Sequence, residues 1–210
     1  MLKINFLGDS ITEGAMASKD ENTFVQLVGK MTNSISNNYG VGGSRFAKQI
    51  KPSEEPRYDM FFASRVKDMD HSADYVFVFG GTNDYGHGDA PFGKLGDKTV
   101  DTFYGSIDYL VNELLKYYKK DRIIFILPLY RMNEVSPYGD GSKPYAGKTL
   151  QEYRAAMTEV LNQYGIKILD LKDKIGKAEN NPLIADGLHP NDAGHYRLAE
   201  LISEYIKHGC

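Results

Sequence analysis

Cysteine is almost missing from this chain: the single one, Cys210, is the last residue, so no intramolecular disulfide can form. Disulfide content therefore gives no support for a stapled secreted scaffold. No apolar run is long enough for a signal peptide or a membrane span, and Met1 leads directly into a strand-like segment. A cytoplasmic protein without a membrane span is the expectation. A strong excess of charge of either sign is also lacking. With 25 Lys and Arg against 28 Asp and Glu, the formal charge of -3 offers nucleic acid or an anionic membrane no electrostatic hold. The five histidines show no HExxH or similar spacing, so no metal site of the zinc type is expected.

What is present is the composition of a soluble globular protein, 41% hydrophobic and 25% charged over 210 residues. That length suits one domain, 1–210, able to bury a core unaided. Strand-like and helix-like segments alternate. Residues 4–7 form a short apolar run, followed by Phe24, Leu27, Val28 and Met31 at helical spacing. Residues 34–39 are a more polar strand candidate, whereas YVFVF (75–79) and IIFIL (123–127) are continuous apolar runs, as in strands covered on both faces. Between these two, Phe103, Ile107, Leu110, Val111, Leu114, Leu115 and Tyr118 mark an amphipathic helix. Leu150, Tyr153, Met157, Val160 and Leu161 mark another, 166–169 a short strand, and Leu198, Leu201, Ile202 and Tyr205 one face of a closing helix. Such alternation predicts an α/β fold with a parallel sheet between two helical layers. Two long polar loops, at about 44–70 and 128–147, interrupt it, and loops of that length are often functional.

In open parallel sheets, ligands bind beyond the carboxyl ends of the strands. The first strand ends in Gly8, Asp9 and Ser10, the second in YGVGGS (39–44), and the third in GGTND (80–84). ADGLHPND (185–192) precedes the last helix. Acyl transfer needs these parts. A hydroxyl becomes a nucleophile when a base takes its proton, histidine is the usual base near neutral pH, and a carboxylate fixes its tautomer. Ser10, His189 and Asp186 fit those roles, with Pro190 biasing His189 toward extended backbone. The backbone N–H groups of Ser10 and Gly43 and the side-chain amide of Asn83 are candidate donors to the tetrahedral oxyanion. Glycine at 43 lets its N–H approach a substrate closely.

GDSIT around Ser10, then GVGGS, GGTND and DGLHP, in that order across residues 8–189, resemble the motif blocks of the SGNH (GDSL) hydrolases. The resemblance implies a flavodoxin-like three-layer α/β/α sandwich, its five-stranded parallel sheet ordered 2-1-3-4-5. It also implies Ser10 as nucleophile, Asp186 and His189 as its partners, and Ser10, Gly43 and Asn83 as the oxyanion hole. The usual leucine after GDS is Ile11 here, a conservative change. The activity implied is hydrolysis of a small-molecule carboxylic ester without a cofactor. Related enzymes include lipases, lysophospholipases, thioesterases, arylesterases and carbohydrate acetylesterases. Tyr58, Arg65, Tyr85, Tyr130, Arg131, Tyr138 and Tyr145 in or near the polar loops are candidate lining, suited to a short acyl (acetyl) ester of a carbohydrate or other small molecule. A lysophospholipase or thioesterase-type acylhydrolase, a catalytically silent ligand-binding module and a flavodoxin-like mononucleotide binder are the alternatives.

Several other features carry less. Asp84 is expected to be structural, His87 is a candidate for the cleft wall, and His195 and His208 are expected to be solvated on the last helix. GDAPFGK (88–94) matches the first seven positions of a phosphate-binding loop but has Leu95 where Ser or Thr should hold magnesium. GVGGSR has Arg45 where a dinucleotide fingerprint needs its third glycine, and no serine sits in G-x-S-x-G.

Overall fold

A computed structural model describes residues 1–208; Gly209 and Cys210 lie outside the described residues. Five parallel strands, β1 (Lys3–Gly8), β2 (Ile35–Gly40), β3 (Tyr75–Phe79), β4 (Ile123–Ile126) and β5 (Lys167–Leu169), form one sheet ordered β2-β1-β3-β4-β5. Eight α-helices are described: α1 (Ser10–Glu13), α2 (Phe24–Thr32), α3 (Phe62–Arg65), α4 (Thr82–His87), α5 (Phe103–Leu115), α6 (Leu150–Tyr164), α7 (Lys172–Ile175) and α8 (Asp192–His208). The three-layer α/β/α sandwich implied by the motif blocks is the architecture observed. No helix among the described residues is long and apolar enough to cross a membrane.

The period-two alternation of strand side chains divides the core into two layers. Val76, Val78, Ile123 and Phe125 pack under α3, α5 and α6. Their neighbours Phe77, Phe79, Ile124 and Ile126 point the other way, into α2, α7 and α8. This is why the central strands read as unbroken apolar runs. The edge strand β2 is half exposed, and its polar residues have partners: Asn37 donates to Asn5 Oδ1 (2.9 Å) and Asn38 to the Thr12 carbonyl (2.8 Å). Helix ends follow local chemistry. Thr23 and Thr102 cap α2 and α5, and Thr149 with Glu152 makes a capping box at α6.

One histidine departs from expectation. His195 is completely buried, not solvated. Its Nδ1 accepts from the Phe24 N–H (3.3 Å), and its Nε2 faces the Ala15 carbonyl (3.1 Å), so it joins α8 to the start of α2 and to the chain after α1. It lies on the helix face shared by Leu198, Ala199 and Ile202, all fully buried. Burial, with a smaller contribution from the His189 charge, lowers its pKa against the Ala15 carbonyl and Asp192. The native state therefore holds a neutral ring that unfolding frees to take up a proton. Its contribution is complete above the ordinary value of 6.5 and declines as pH falls from there toward the lowered native value. We expect His195→Ala to lower the unfolding free energy at pH 8 by about 2–4 kcal/mol, combining a core cavity with an unsatisfied Phe24 N–H. Urea titrations should also show His195→Gln losing less stability than wild type between pH 7 and pH 5.

Candidate active site

The register of the sheet sets the site. Gly8 pairs with Gly40 on one side and with Phe79 on the other, so the segments leaving β1, β2 and β3 start level at one rim. After β1 the chain turns at once into α1, with Asp9 as its N-cap accepting from the Ile11 N–H (3.0 Å). Ser10 is thus the first residue of α1. The helix lies directly on the end of β2: a Cβ on Gly40 would fall 2.1 Å from the Glu13 nitrogen.

Ser10 Oγ lies 2.9 Å from His189 Nε2, and His189 Nδ1 lies 2.7 Å from Asp186 Oδ2. With the Nδ1–H donated to the carboxylate, Nε2 presents its lone pair to the serine hydroxyl. The other Asp186 oxygen accepts from the backbone N–H groups of Leu188 (3.0 Å) and His189 (2.7 Å), so acid and imidazole are fixed in one turn. That turn is closed by the Ala185 N–H donating to the His189 carbonyl (2.8 Å) and by an isolated antiparallel bridge between Ile184 and Pro190. Burial works against ionisation of Asp186. The two N–H bonds, the imidazole contact and the His189 charge together outweigh it and hold the carboxyl below the usual range.

Gly43 and Asn83 stand on the same cleft as Ser10 and His189. Gly43 adopts φ +71°, a conformation that favours glycine, and its N–H has no acceptor among the described residues. The neighbouring Gly42 N–H is already bonded to Glu13 Oε2 (2.8 Å). Asn83, in the first turn of α4, donates one amide proton to the Ser44 carbonyl (3.0 Å), which orients the group and leaves its second proton uncommitted.

The cleft holds about 400 Å³ and is walled by Glu13, Arg45, Ser53, Arg57, Tyr58 and His87 in addition to the residues above. Of the loop side chains expected to line it, only Tyr58 does. Arg65 is buried beneath, its guanidinium donating to the carbonyls of Gly8 (3.0 Å) and Tyr39 (2.5 Å) and to Ser44 Oγ (3.0 Å), which ties three loop roots together. Tyr85 is buried in the core with its hydroxyl on the Asn133 and Ser136 carbonyls. Arg131 stacks on it and anchors Thr82 (3.1 Å to its carbonyl). Tyr130 bonds Asp173 (2.7 Å), Tyr138 is exposed elsewhere, and Tyr145 borders a separate hollow beside Pro91 and Lys148. Glu13, Arg45 and Arg57 were not singled out from the sequence. Glu13 lies one helical turn after Ser10, and Arg57 makes a salt bridge to it.

Several charges lie under the cleft. Asp84 is structural, accepting from the N–H groups of Phe46 (3.0 Å) and Ala47 (2.9 Å); burial still raises its pKa. His87 is depressed by burial and by Arg45, against its contact with Asp140 (3.0 Å). Asp9 is 1% exposed, and burial pushes its carboxyl up to about 6 despite the Ile11 N–H and the charges of His189 and Arg65.

Residues 6–197 match the GDSL-like Lipase/Acylhydrolase family, and the chain belongs to it. No curated protein matches the sequence. Among solved structures, a Lactobacillus plantarum protein superposes with a TM-score of 0.81 at 26% identity over 100% of this chain and 98% of its own. A lipase/acylhydrolase from Enterococcus faecalis gives 0.68 at 24% identity over 99% and 96%. Est24, a carbohydrate acetylesterase from Sinorhizobium meliloti, gives 0.68 at 13% identity over 99% of both chains.

Asp9 yields a test. Its native pKa near 6 exceeds the ordinary 3.8, so the stability contributed by the neutral form is complete below 3.8 and is lost as pH rises through about 6. Above that, the buried charge costs about 3 kcal/mol. Asparagine caps a helix as well as aspartate does. Asp9→Asn should therefore stabilise the fold by up to about 3 kcal/mol at pH 8, with the gain vanishing by pH 4 in urea titrations. An equal gain at both pH values would exclude the buried charge as its cause.

Proposed function

We propose that this chain is a serine ester hydrolase in which Ser10 is the nucleophile, His189 the general base and Asp186 its orienting carboxylate. The observation that carries this reading is the unbroken relay from Ser10 Oγ through His189 to Asp186, with steps of 2.9 and 2.7 Å. His189 Nε2 takes the serine proton as Oγ attacks the acyl carbon, and the negative charge moves to the carbonyl oxygen. The N–H groups of Ser10 and Gly43 and the free amide proton of Asn83 are the donors to that oxygen. The tetrahedral adduct collapses, His189 protonates the departing alkoxide, and the acyl group stays on Ser10. Water then attacks the acyl-enzyme with its proton passing to His189, and the acid leaves as Ser10 is reprotonated.

The lining supports a short acyl ester, such as an acetyl ester of a carbohydrate or other small molecule. Leu188 is the single aliphatic side chain along the cleft, and the rest are small, polar, charged or aromatic. A fatty-acyl chain would meet no apolar tunnel there. The Sinorhizobium carbohydrate acetylesterase shares the fold, and its substrate class suits this lining.

A fluorophosphonate probe should label the wild-type protein and leave Ser10→Ala unmodified; an unlabelled wild type would indicate a binding module instead. Ser10→Ala and His189→Ala should each lower kcat by at least about 10³-fold, and Asn83→Ala by about 10²–10³-fold. p-Nitrophenyl acetate should turn over faster than the octanoate. Equal or faster cleavage of octanoate would remove the short-acyl preference and leave the hydrolase assignment intact.

A further inference from the structure

Arg45 follows the glycine turn by two residues and lines the cleft with Ser10 and His189, yet it is only 8% exposed. Among the described residues its guanidinium has no hydrogen-bond acceptor and no ion-pair partner, and Nε and Nη1 are buried without one. Other buried or partly buried arginines differ. Arg65 and Arg131 each leave Nε unpaired but bond through another guanidinium nitrogen, and Arg154 holds the Pro128 and Leu129 carbonyls.

Four carboxylates act on Arg45 through space: Asp84, Asp89, Asp59 and Asp140. Each is engaged elsewhere. Asp84 holds the Phe46 and Ala47 N–H groups, Asp89 those of Ile50 and Lys51, Asp59 that of Ser53 and the Gln49 amide, and Asp140 the Ser142 N–H and His87. They stabilise the cation by their field without occupying its donors. A desolvated charge lacking hydrogen bonds is costly, so a guanidinium with unengaged donors on a cleft gains by meeting an acceptor there. The walls add to the effect. Arg57 stands at the rim, and the one carboxylate on the cleft, Glu13, is already bonded to Arg57 and to the Gly42 N–H. The cleft therefore presents the unengaged Arg45 guanidinium beside a Glu13–Arg57 ion pair.

We propose that Arg45 is a substrate-binding residue that receives an anionic oxygen group, carboxylate or phosphate, carried by the ester. The fork of a guanidinium matches two oxygens of either group, and such charge-assisted pairs are about twice as strong as neutral ones. The inference rests on the hydrolase reading for the word ester. The anion site itself does not.

Two matched substrate pairs test it. In the first, 4-acetoxybenzoate is compared with its methyl ester, placing the charge on the leaving group. In the second, mono-p-nitrophenyl glutarate is compared with p-nitrophenyl valerate, placing it on the acyl side. For one pair, the charged-to-neutral ratio of kcat/KM should fall at least about tenfold in Arg45→Gln, and the pair that responds shows which side the anion occupies. Arg45→Lys, which keeps the charge but loses the fork, should fall between. A purely structural role would lower both members of each pair alike, leaving both ratios unchanged and overturning the proposal. Binding is read separately by NMR titration of Ser10→Ala protein with succinate and with inorganic phosphate, each repeated after adding Arg45→Gln. The affinity for at least one of the two should weaken tenfold or more, and the stronger ligand distinguishes carboxylate from phosphate. Absence of Arg45-dependent binding would refute the anion site even if neutral esters are hydrolysed. Arg45-dependent binding by a protein inert toward every ester would retain the site and refute the hydrolase reading. Should Arg45→Gln not fold, inhibition of wild-type p-nitrophenyl acetate hydrolysis by succinate or phosphate decides: competitive inhibition supports the proposal, and its absence overturns it.

Discussion

Adjacent strands of a parallel sheet lie about 4.8 Å apart, and here Gly8, Gly40 and Phe79 are level with one another. The candidate site depends on that register. Because the three strands end together, the serine turn, the glycine turn and the asparagine helix begin as immediate neighbours. A slip by one residue would reverse which face each strand side chain meets and separate these loops. Two devices hold the arrangement where hydrogen bonding of the sheet stops. The bare Gly40 Cα lets α1 lie against β2, and the Arg65 guanidinium gathers the carbonyls at the ends of β1 and β2 together with the Ser44 hydroxyl.

The interior beneath the cleft is unusually polar for a core. Asp9, Asp84 and Arg65 are each under 5% exposed and lie close enough to influence one another. Their bonds run mostly to backbone groups rather than to each other, so they position loops rather than form mutual ion pairs. Burial dominates their titration, raising both acids and lowering Arg65 to about 10. A site assembled from loop ends needs many backbone groups satisfied away from water, and charged side chains do this with short, strong bonds. The cost is stability, a common exchange at functional sites.

Much of this was readable in the sequence because the signals were of two robust kinds. Hydrophobic runs located the five strands to within a residue, and helical spacing marked the buried faces of the long helices while leaving their ends open by three residues or more. The ordered blocks at the strand ends named the residues that the fold then brings together. What escaped was set by tertiary geometry. Helices α1 and α4 are too short for periodicity to show and are specified by caps and contacts. The place of His195 on the last helix suggests a solvated side chain, although its spacing to Leu198, Ala199 and Ile202 marks the buried face. The loop tyrosines and arginines have the composition of a polar cleft wall. Of the seven only Tyr58 lines it: Arg65 and Tyr85 are buried, their polar ends held by Gly8, Tyr39, Asn133 and Ser136 carbonyls, while Tyr138 and Tyr145 are exposed away from the cleft. Nothing in the local sequence distinguishes the engaged Arg65 from the unengaged Arg45.

The turn bearing Asp186 and His189 closes upon itself. Two backbone N–H groups reach the carboxylate, the imidazole reaches its other oxygen, and the isolated Ile184–Pro190 bridge joins the segments on either side. The contact between carboxylate and imidazole is thus restrained from within these seven residues, and the Met132 N–H on the Gly187 carbonyl (2.8 Å) ties the turn to the rest of the fold. Such a turn is preorganised, since the carboxylate that orients the imidazole is itself held by two N–H groups of the same turn. It is also modular: one turn sets the carboxylate–imidazole contact, and the far end of the chain supplies the serine hydroxyl one hydrogen bond away.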